Sequence, residues 1–187
     1  MTTRIEKDWV FNAGVHFDNK FIINNYQITL SMMVETESVR EQNIAMERLE
    51  YFINEVIDSC IFIDKNKTKN IDYYIQAGIK VCLLPEEVYD QIIGMILLLK
   101  FNSILEKRLF VTDLTLSSKL SDNVRFHIVE EIATNLFDGD FWWNNNSTKL
   151  YDSPKLKDKK TKIVKLFDDE WTTVGLSWKD SKYTQSC

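Results

Sequence analysis

Hydrophobic and polar residues alternate along two segments near the start of the chain. Residues 4–17 and 24–36 are rich in β-branched and aromatic side chains, and every other residue from Tyr26 to Val34 is apolar. A period of two is typical of a strand with one buried face. Four turn-forming residues lie near the junction of the segments: Asp18, Asn19, Asn24 and Asn25. The pattern predicts two antiparallel strands.

Two later segments carry the period of a helix. Ser38 and Glu41 match the capping box, and apolar residues then recur every three or four positions, which predicts a helix over 38–60. Pro85 and the acidic residues after it favour a second helix over 85–106. The middle of this helix is apolar nearly all round, which is typical of a helix enclosed by a sheet and by further helices or subunits. This pattern predicts a homo-oligomer.

Further strands are predicted over 108–116 and 123–129, with turn-forming residues between them. A brief helix over 73–77 and a short strand or extended connector over 79–84 lie between the two long helices. The sequence therefore predicts an α+β fold with a four-stranded antiparallel sheet in the order ββααββ and both helices on one face. This core domain is expected to span residues 1–131.

Residues 132–187 form an aromatic-rich C-terminal extension. It contains four tryptophans, Trp142, Trp143, Trp171 and Trp178. A disordered tail normally lacks such residues, so the extension is expected to pack on the core or on a neighbouring subunit. Five lysines between 155 and 162 are more typical of a solvated loop than of a nucleic-acid site.

Composition and charge narrow the choice of function. The 187 residues include 23 basic and 28 acidic side chains, and the net charge of −5 argues against binding to nucleic acid or to an anionic membrane. The sequence has no apolar run long enough to span a bilayer and does not begin like a signal peptide. Three cysteines without a C-x-x-C pair fit a reducing compartment, so we expect a cytoplasmic protein. Abundant Ile, Lys and Asn are typical of an AT-rich genome such as that of a phage or a small bacterium.

The sequence offers little for metal or covalent chemistry. Its two histidines, His16 and His127, lie far apart, and no Cys or His pair has zinc-ligand spacing. Glycine-rich phosphate loops and the nucleophile elbow are absent from the sequence. Cys60 and Cys82 lie in apolar stretches, where thiols are expected to be inert. We expect no metal and no cofactor, and the sequence leaves open whether the protein is an enzyme.

Glu130 and Glu131 are the carboxylates with the strongest case for binding. They end a mostly apolar strand, where a carboxylate can lie in a cleft and accept hydrogen bonds from the N–H groups of a flat ligand. The alternative is that both lie at the surface with no such role.

The order of elements resembles the tunnelling fold, the family of 6-pyruvoyltetrahydropterin synthase and GTP cyclohydrolase I. The segment FNAGVHF resembles the opening strand of the synthase, with its zinc histidine at His16, and NNYQITLSMMV matches the H-x-H-N-Y strand at Asn25 and Tyr26. The two further zinc histidines of that motif would fall on Ile22 and Asn24, and no cysteine nucleophile precedes them.

The resemblance implies an oligomer that binds a planar purine- or pterin-like molecule at a subunit interface, without zinc. The purine- or pterin-anchoring glutamate of the family would correspond to Glu130 or Glu131, and His16 completes the implied ligand-binding set. The alternative is a non-enzymatic interaction protein, encoded by a phage, that uses its aromatic-rich extension to bind a partner.

Overall fold

In the described part of the chain, six strands form one mixed sheet, and α-helices pack on it. The computed structural model describes residues 3–17, 20–66, 71–131, 133 and 141–148. The strands are β1 (Arg4–Phe17), β2 (Lys20–Val34), β3 (Cys60–Asp64), β4 (Val81–Leu84), β5 (Leu109–Ser118) and β6 (Arg125–Val129). The helices are α1 (Val39–Tyr51), α2 (Ile71–Gln76) and α3 (Asp90–Leu105); α1 continues as a π-helical turn over Phe52–Ile57, and Trp142–Asn144 forms a 3-10 turn.

The described residues belong to one compact unit, Met1–Asp152, and residues 153–187 lie outside the described part of the chain. Trp171, Trp178 and the lysine cluster therefore lie outside the described residues as well. None of the described helices has the length and apolar character needed to cross a bilayer.

The sheet has the strand order β4-β3-β1-β2-β5-β6. The pairs β1–β2, β2–β5 and β5–β6 are antiparallel, whereas β3 runs parallel to both β1 and β4. The α+β class is confirmed. The predicted four-stranded antiparallel sheet in the order ββααββ is wrong, because β3 and β4 extend the sheet by two parallel strands beyond β1.

The strand β3 was missed: its first residue, Cys60, was the predicted end of the long helix, and residues 61–63 were given no element. The reason is the burial of β3 on both faces. Cys60 and Phe62 join the main core, while Ile61 and Ile63 form a smaller cluster with Val81. A strand covered on both faces is a continuous apolar run without the period of two.

One face of the sheet carries the core. Phe11, Tyr26 and Leu30 are almost fully buried on this face, and they belong to one cluster with residues of α1 and α3 such as Leu49 and Ile96. The opposite face, called the open face below, carries mostly polar side chains in β1 and β2. They bond across the two strands, as in the pairs Thr29–Asp8 (2.6 Å) and Asn25–Asn12 (3.0 Å).

The two long helices begin at different kinds of signal. The side chain of Ser38 accepts the Glu41 N–H at 3.4 Å, and α1 begins at the next residue, close to the predicted start. The predicted start of the second helix at Pro85 is wrong, since α3 begins at Asp90. The carboxylate of Asp90 accepts hydrogen bonds from the hydroxyl groups of Ser118 and Ser121. These bonds hold the first turn of α3 against the end of β5.

Candidate functional site

Glu130 and Glu131 directly follow β6 and begin a short helical stretch. Glu131 is exposed, whereas Glu130 is partly buried, and this burial raises the pKa of its carboxyl group. A carboxylate that has lost part of its hydration is better placed to gain from hydrogen bonds that a ligand donates. The structure therefore distinguishes Glu130 from Glu131 by burial, whereas the sequence gave no reason to prefer either.

A cleft of about 390 Å³ lies between β6 and α3. Ile92, Met95 and Phe126 provide apolar walls, and Arg125 and His127 provide polar groups from β6. Ile128 also lines the cleft and stands two residues before Glu130. The cleft has the size and the mixed lining typical of small-molecule sites.

The hairpin register places His16 apart from the other two motif positions. Val15 pairs with Ile22 and Ala13 pairs with Asn24, so these four side chains share the core face of the sheet. His16 is the next residue in β1 and points to the open face. The positions that the resemblance assigned to three zinc histidines therefore do not converge in the structure.

The same registers place His16 and Glu130 at opposite ends of the sheet. Ser31 pairs with Glu6 and with Asp113, and Asp113 pairs with Val129, the neighbour of Glu130. His16 lies ten residues beyond Glu6 along β1, a distance of roughly 30 Å at the usual rise of a strand. Within one chain the predicted ligand-binding residues do not form a single site.

The sequence did not indicate a buried polar cluster that joins β2, β5 and α3. The Asp90 carboxylate accepts the Ser118 hydroxyl at 2.5 Å and the Ser121 hydroxyl at 2.6 Å. Asn24, predicted as part of a turn, lies inside β2, and its amide oxygen accepts the Leu120 N–H at 2.9 Å. These bonds fix the turn that follows β5 against the start of α3.

Two buried polar atoms of β2 lie close to this cluster. The Asn24 side-chain nitrogen and the Tyr26 hydroxyl have no hydrogen-bond partner among the described residues. Burial raises the pKa of Tyr26, and the neighbouring Asn24 amide works against that rise. Such atoms are costly unless a water molecule or a ligand satisfies them.

The described residues contain no group of three or more His, Cys, Asp or Glu side chains that could hold a metal ion. Burial raises the pKa of the Cys60 thiol to about 12 and that of Cys82 well above its usual value. Both thiols are therefore protonated at neutral pH, which disfavours a nucleophilic role.

Part of the predicted extension packs on the core. Trp142 and Trp143 are buried, and the Trp142 ring N–H donates to the Leu83 carbonyl of β4 at 2.8 Å. The fully buried Lys100 of α3 donates to the carbonyls of Trp142 (2.7 Å) and Asn145 (2.8 Å). These tryptophans therefore cover part of α3, the helix whose apolar circumference predicted a homo-oligomer.

Comparison with known proteins gives a fold but no family. No protein-family model and no curated protein sequence matches the chain. An uncharacterized protein from Wolinella succinogenes has a similar structure, with a TM-score of 0.50 and 10% identity over 69% of this chain and 98% of that one. At this identity the likeness shows the fold alone.

Two 6-pyruvoyltetrahydropterin synthases are also similar in structure. The Plasmodium vivax enzyme aligns with a TM-score of 0.46 and 11% identity over 68% of this chain and 97% of that one. The Plasmodium falciparum enzyme gives 0.43 and 13% over 68% and 98%. These scores are too low to carry an argument about what this chain does.

Proposed function

We propose that this chain is a homo-oligomer of the tunnelling-fold kind that binds a planar purine- or pterin-like molecule, without zinc, at a subunit interface. The observation that carries the proposal is that Glu130, a partly desolvated carboxylate, follows by two residues Ile128, which lines the cleft between β6 and α3.

The chemistry of the cleft suits a flat, nitrogen-rich ring. Phe126 and Met95 offer apolar contact to a ring, and the two oxygens of Glu130 match the paired N–H groups along one edge of guanine or a pterin. Arg125 and His127 offer further polar contacts to the same ligand.

The position of the cleft supports a site between subunits. The outermost strand β6 pairs with β5 and has no second neighbour among the described strands. A second subunit can therefore approach the cleft along this edge. Because His16 and Glu130 lie far apart in one chain, both could serve a single ligand only if two subunits contribute.

Calorimetric titration of guanine and pterin into the full chain tests the proposal. Glu130→Gln keeps the size of the side chain but replaces one acceptor oxygen with a donor, so affinity should fall about tenfold or more. Glu131→Gln is the matched control, because the same change is made at an exposed neighbour and should leave affinity unchanged.

The pH dependence of binding provides a second measurement. Only ionised Glu130 accepts two N–H bonds, and burial raises the pKa of this carboxyl group. Affinity should therefore fall as the pH is lowered through that pKa, beginning at a higher pH than for an exposed glutamate, whose pKa is about 4.3. The Glu130→Gln variant should lose this dependence.

The alternative of a non-enzymatic interaction protein now has fewer candidate residues for binding a partner than the four tryptophans of the extension. Trp142 and Trp143 are buried by the chain's own core, so Trp171 and Trp178 remain as candidate anchors for a partner. If neither guanine nor pterin binds the wild-type chain, or if both glutamine variants bind as well as wild type, the heterocycle proposal is wrong and this alternative replaces it.

A further inference from the structure

The start of β2 extends beyond the strand beside it. β2 pairs with β1 from Lys20 onward, but its ladder with β5 begins only at Tyr26. The turn after β5 reaches as far as Asn25, because the Lys119 N–H donates to the Asn25 carbonyl at 3.1 Å. Among the described residues, no strand pairs with residues 20–24 on this side, which is called the β2 edge below.

The backbone groups of Phe21 and Ile23 point outward along the β2 edge. The Asn25 carbonyl points away from β1, since it accepts the Lys119 N–H. Backbone direction alternates along an antiparallel strand, so Phe21 and Ile23 turn their N–H and C=O groups the same way as Asn25, whereas Ile22 turns its groups toward β1. A row of outward backbone groups is a template for pairing with another strand.

The side chains at the β2 edge are apolar and uncovered. Ile23 is 75% exposed and Phe21 is 50% exposed, and both lie on the open face. Edges that stay unpaired are usually protected by proline, a bulge or several charges. Residues 20–24 contain no proline, and Lys20 is their only charged residue. The β2 edge is therefore suited to pairing, because aromatic and β-branched side chains gain from a cross-strand neighbour.

We propose that the β2 edge pairs with the β2 edge of a second copy of this chain, antiparallel and with two-fold symmetry about Ile22. Phe21 of each copy then lies opposite Ile23 of the other, and each such pair exchanges two backbone hydrogen bonds. The Cβ atoms of opposite residues lie about 5 Å apart, which brings the two exposed side chains into contact. Lys20 lies opposite Asn24, so no like charges meet.

The length of the β2 edge favours a second copy over an unrelated extended peptide. One end of the edge is closed by the turn after β5, where the Leu120 N–H donates to the Asn24 side chain at 2.9 Å. A strand that pairs here must therefore end or turn back at this point. β2 itself meets this requirement, because Phe17 pairs with Lys20 across the hairpin and the strand begins there. A longer continuous peptide would run into the turn.

Disulfide trapping in the full chain tests the geometry. Ile22 would face its own counterpart as a non-hydrogen-bonded pair, with Cα atoms about 4.5 Å apart, a distance that permits a disulfide. In a Cys187→Ser background, Ile22→Cys should therefore form a covalent dimer under mild oxidation. The cysteines Cys60 and Cys82 are buried. Val39→Cys is the control, at a site that is 66% exposed and outside the β2 edge, and it should stay monomeric on a denaturing gel.

Sedimentation of the full chain supplies a second test. Ile23→Lys places a charge in the apolar contact and should shift dissociation at the β2 edge to roughly tenfold higher concentration. Val10→Lys is the matched control, since Val10 is 58% exposed on the same face of β1 and does not lie at the β2 edge. In the Ile22→Cys chain, Val129→Lys at β6 should leave the covalent dimer unchanged, which separates this contact from the oligomer of the proposed function.

The proposal is overturned if Ile22→Cys keeps the circular dichroism spectrum of wild type but forms no covalent dimer, or if Val39→Cys forms one equally well. It is also overturned if Ile23→Lys and Val10→Lys dissociate alike, which would mean that copies associate through another surface. If Ile22→Cys fails to fold, the comparison of the two lysine variants decides alone. A wild-type chain that sediments at 22.1 kDa at the concentration used for oxidation overturns the proposal as well.

Discussion

At the scale of single residues, buried polar groups connect segments that are far apart in the sequence. Lys100 is fully buried in α3, and its ammonium group lies 5.8 Å from the Phe52 ring centre and 5.7 Å from that of Trp142. It also donates to backbone carbonyls of Trp142 and Asn145. A buried ammonium is tolerated only with such partners, so Lys100 joins the segment 141–148 to α3.

Replacement of this lysine should therefore be costly. We expect Lys100→Met to lower the free energy of unfolding by about 2 kcal/mol or more, because the apolar side chain keeps the volume but leaves the buried carbonyls without a donor. Urea denaturation measures the effect, with Lys119→Met at an exposed turn as the control. Equal stability of the two variants would show that the carbonyls find other donors.

Residue patterns also explain where prediction from the sequence failed. The capping serine Ser38 acts locally, and its position correctly predicted the start of α1. The hydrogen-bond partners of Asn24 and Asp90 lie about 30 or more residues away in the sequence. The residues around Asn24 therefore predicted a turn, and those around Asp90 gave no sign of its role. His16 was placed by a local motif, and only the strand register showed which face it occupies.

At the scale of elements, the alternation of apolar and polar residues predicted the strands that have one exposed face. It did not predict β3, whose two faces are both covered. β2 has the predicted alternation, and four of the predicted strands match β1, β2, β5 and β6 in order. β3 is buried along its whole length, and no strand was predicted there; the predicted helix ended at its first residue, Cys60. The glutamate pair after β6 stays a prediction from the sequence, whereas the cleft lined by Ile128 depends on how α3 packs on β6, which the sequence did not indicate.

That packing depends on one glycine. At Gly94 the helix α3 approaches β6 so closely that a Cβ would overlap the Cδ1 atom of Ile128. Gly94→Ala should lower the free energy of unfolding by about 1–2 kcal/mol through overpacking, although alanine by itself favours a helix by about 1 kcal/mol.

A double-mutant cycle isolates this contact. Ile128→Val removes the overlapping methyl group, so in the Gly94→Ala background it should restore stability, with a coupling of about 1 kcal/mol measured by urea denaturation. Strict additivity of the two substitutions would mean that α3 moves as a whole and that Gly94 does not set its distance from β6.

At the scale of the whole molecule, the two edges of the described sheet differ. At the β4 edge, the ring N–H of Trp142 binds the carbonyl of Leu83. At the β6 edge, the described residues include no further strand. The outer strand of a sheet is a natural place for a second copy to pair. The apolar surface of α3 is largely buried within the chain, so it no longer predicts an oligomer. The exposed edge at β6 is the feature that now favours one.

We therefore expect the full chain to sediment at a multiple of its 22.1 kDa mass at micromolar concentration, with β6 at the contact between copies. Val129 of β6 is 40% exposed, and a lysine on an edge strand opposes pairing between sheets, so Val129→Lys should shift dissociation to roughly tenfold higher concentration. Val10→Lys is the matched control, since Val10 is exposed on β1 in the interior of the sheet. A wild-type particle of 22.1 kDa would exclude the oligomer, and equal dissociation of both variants would place the contact elsewhere.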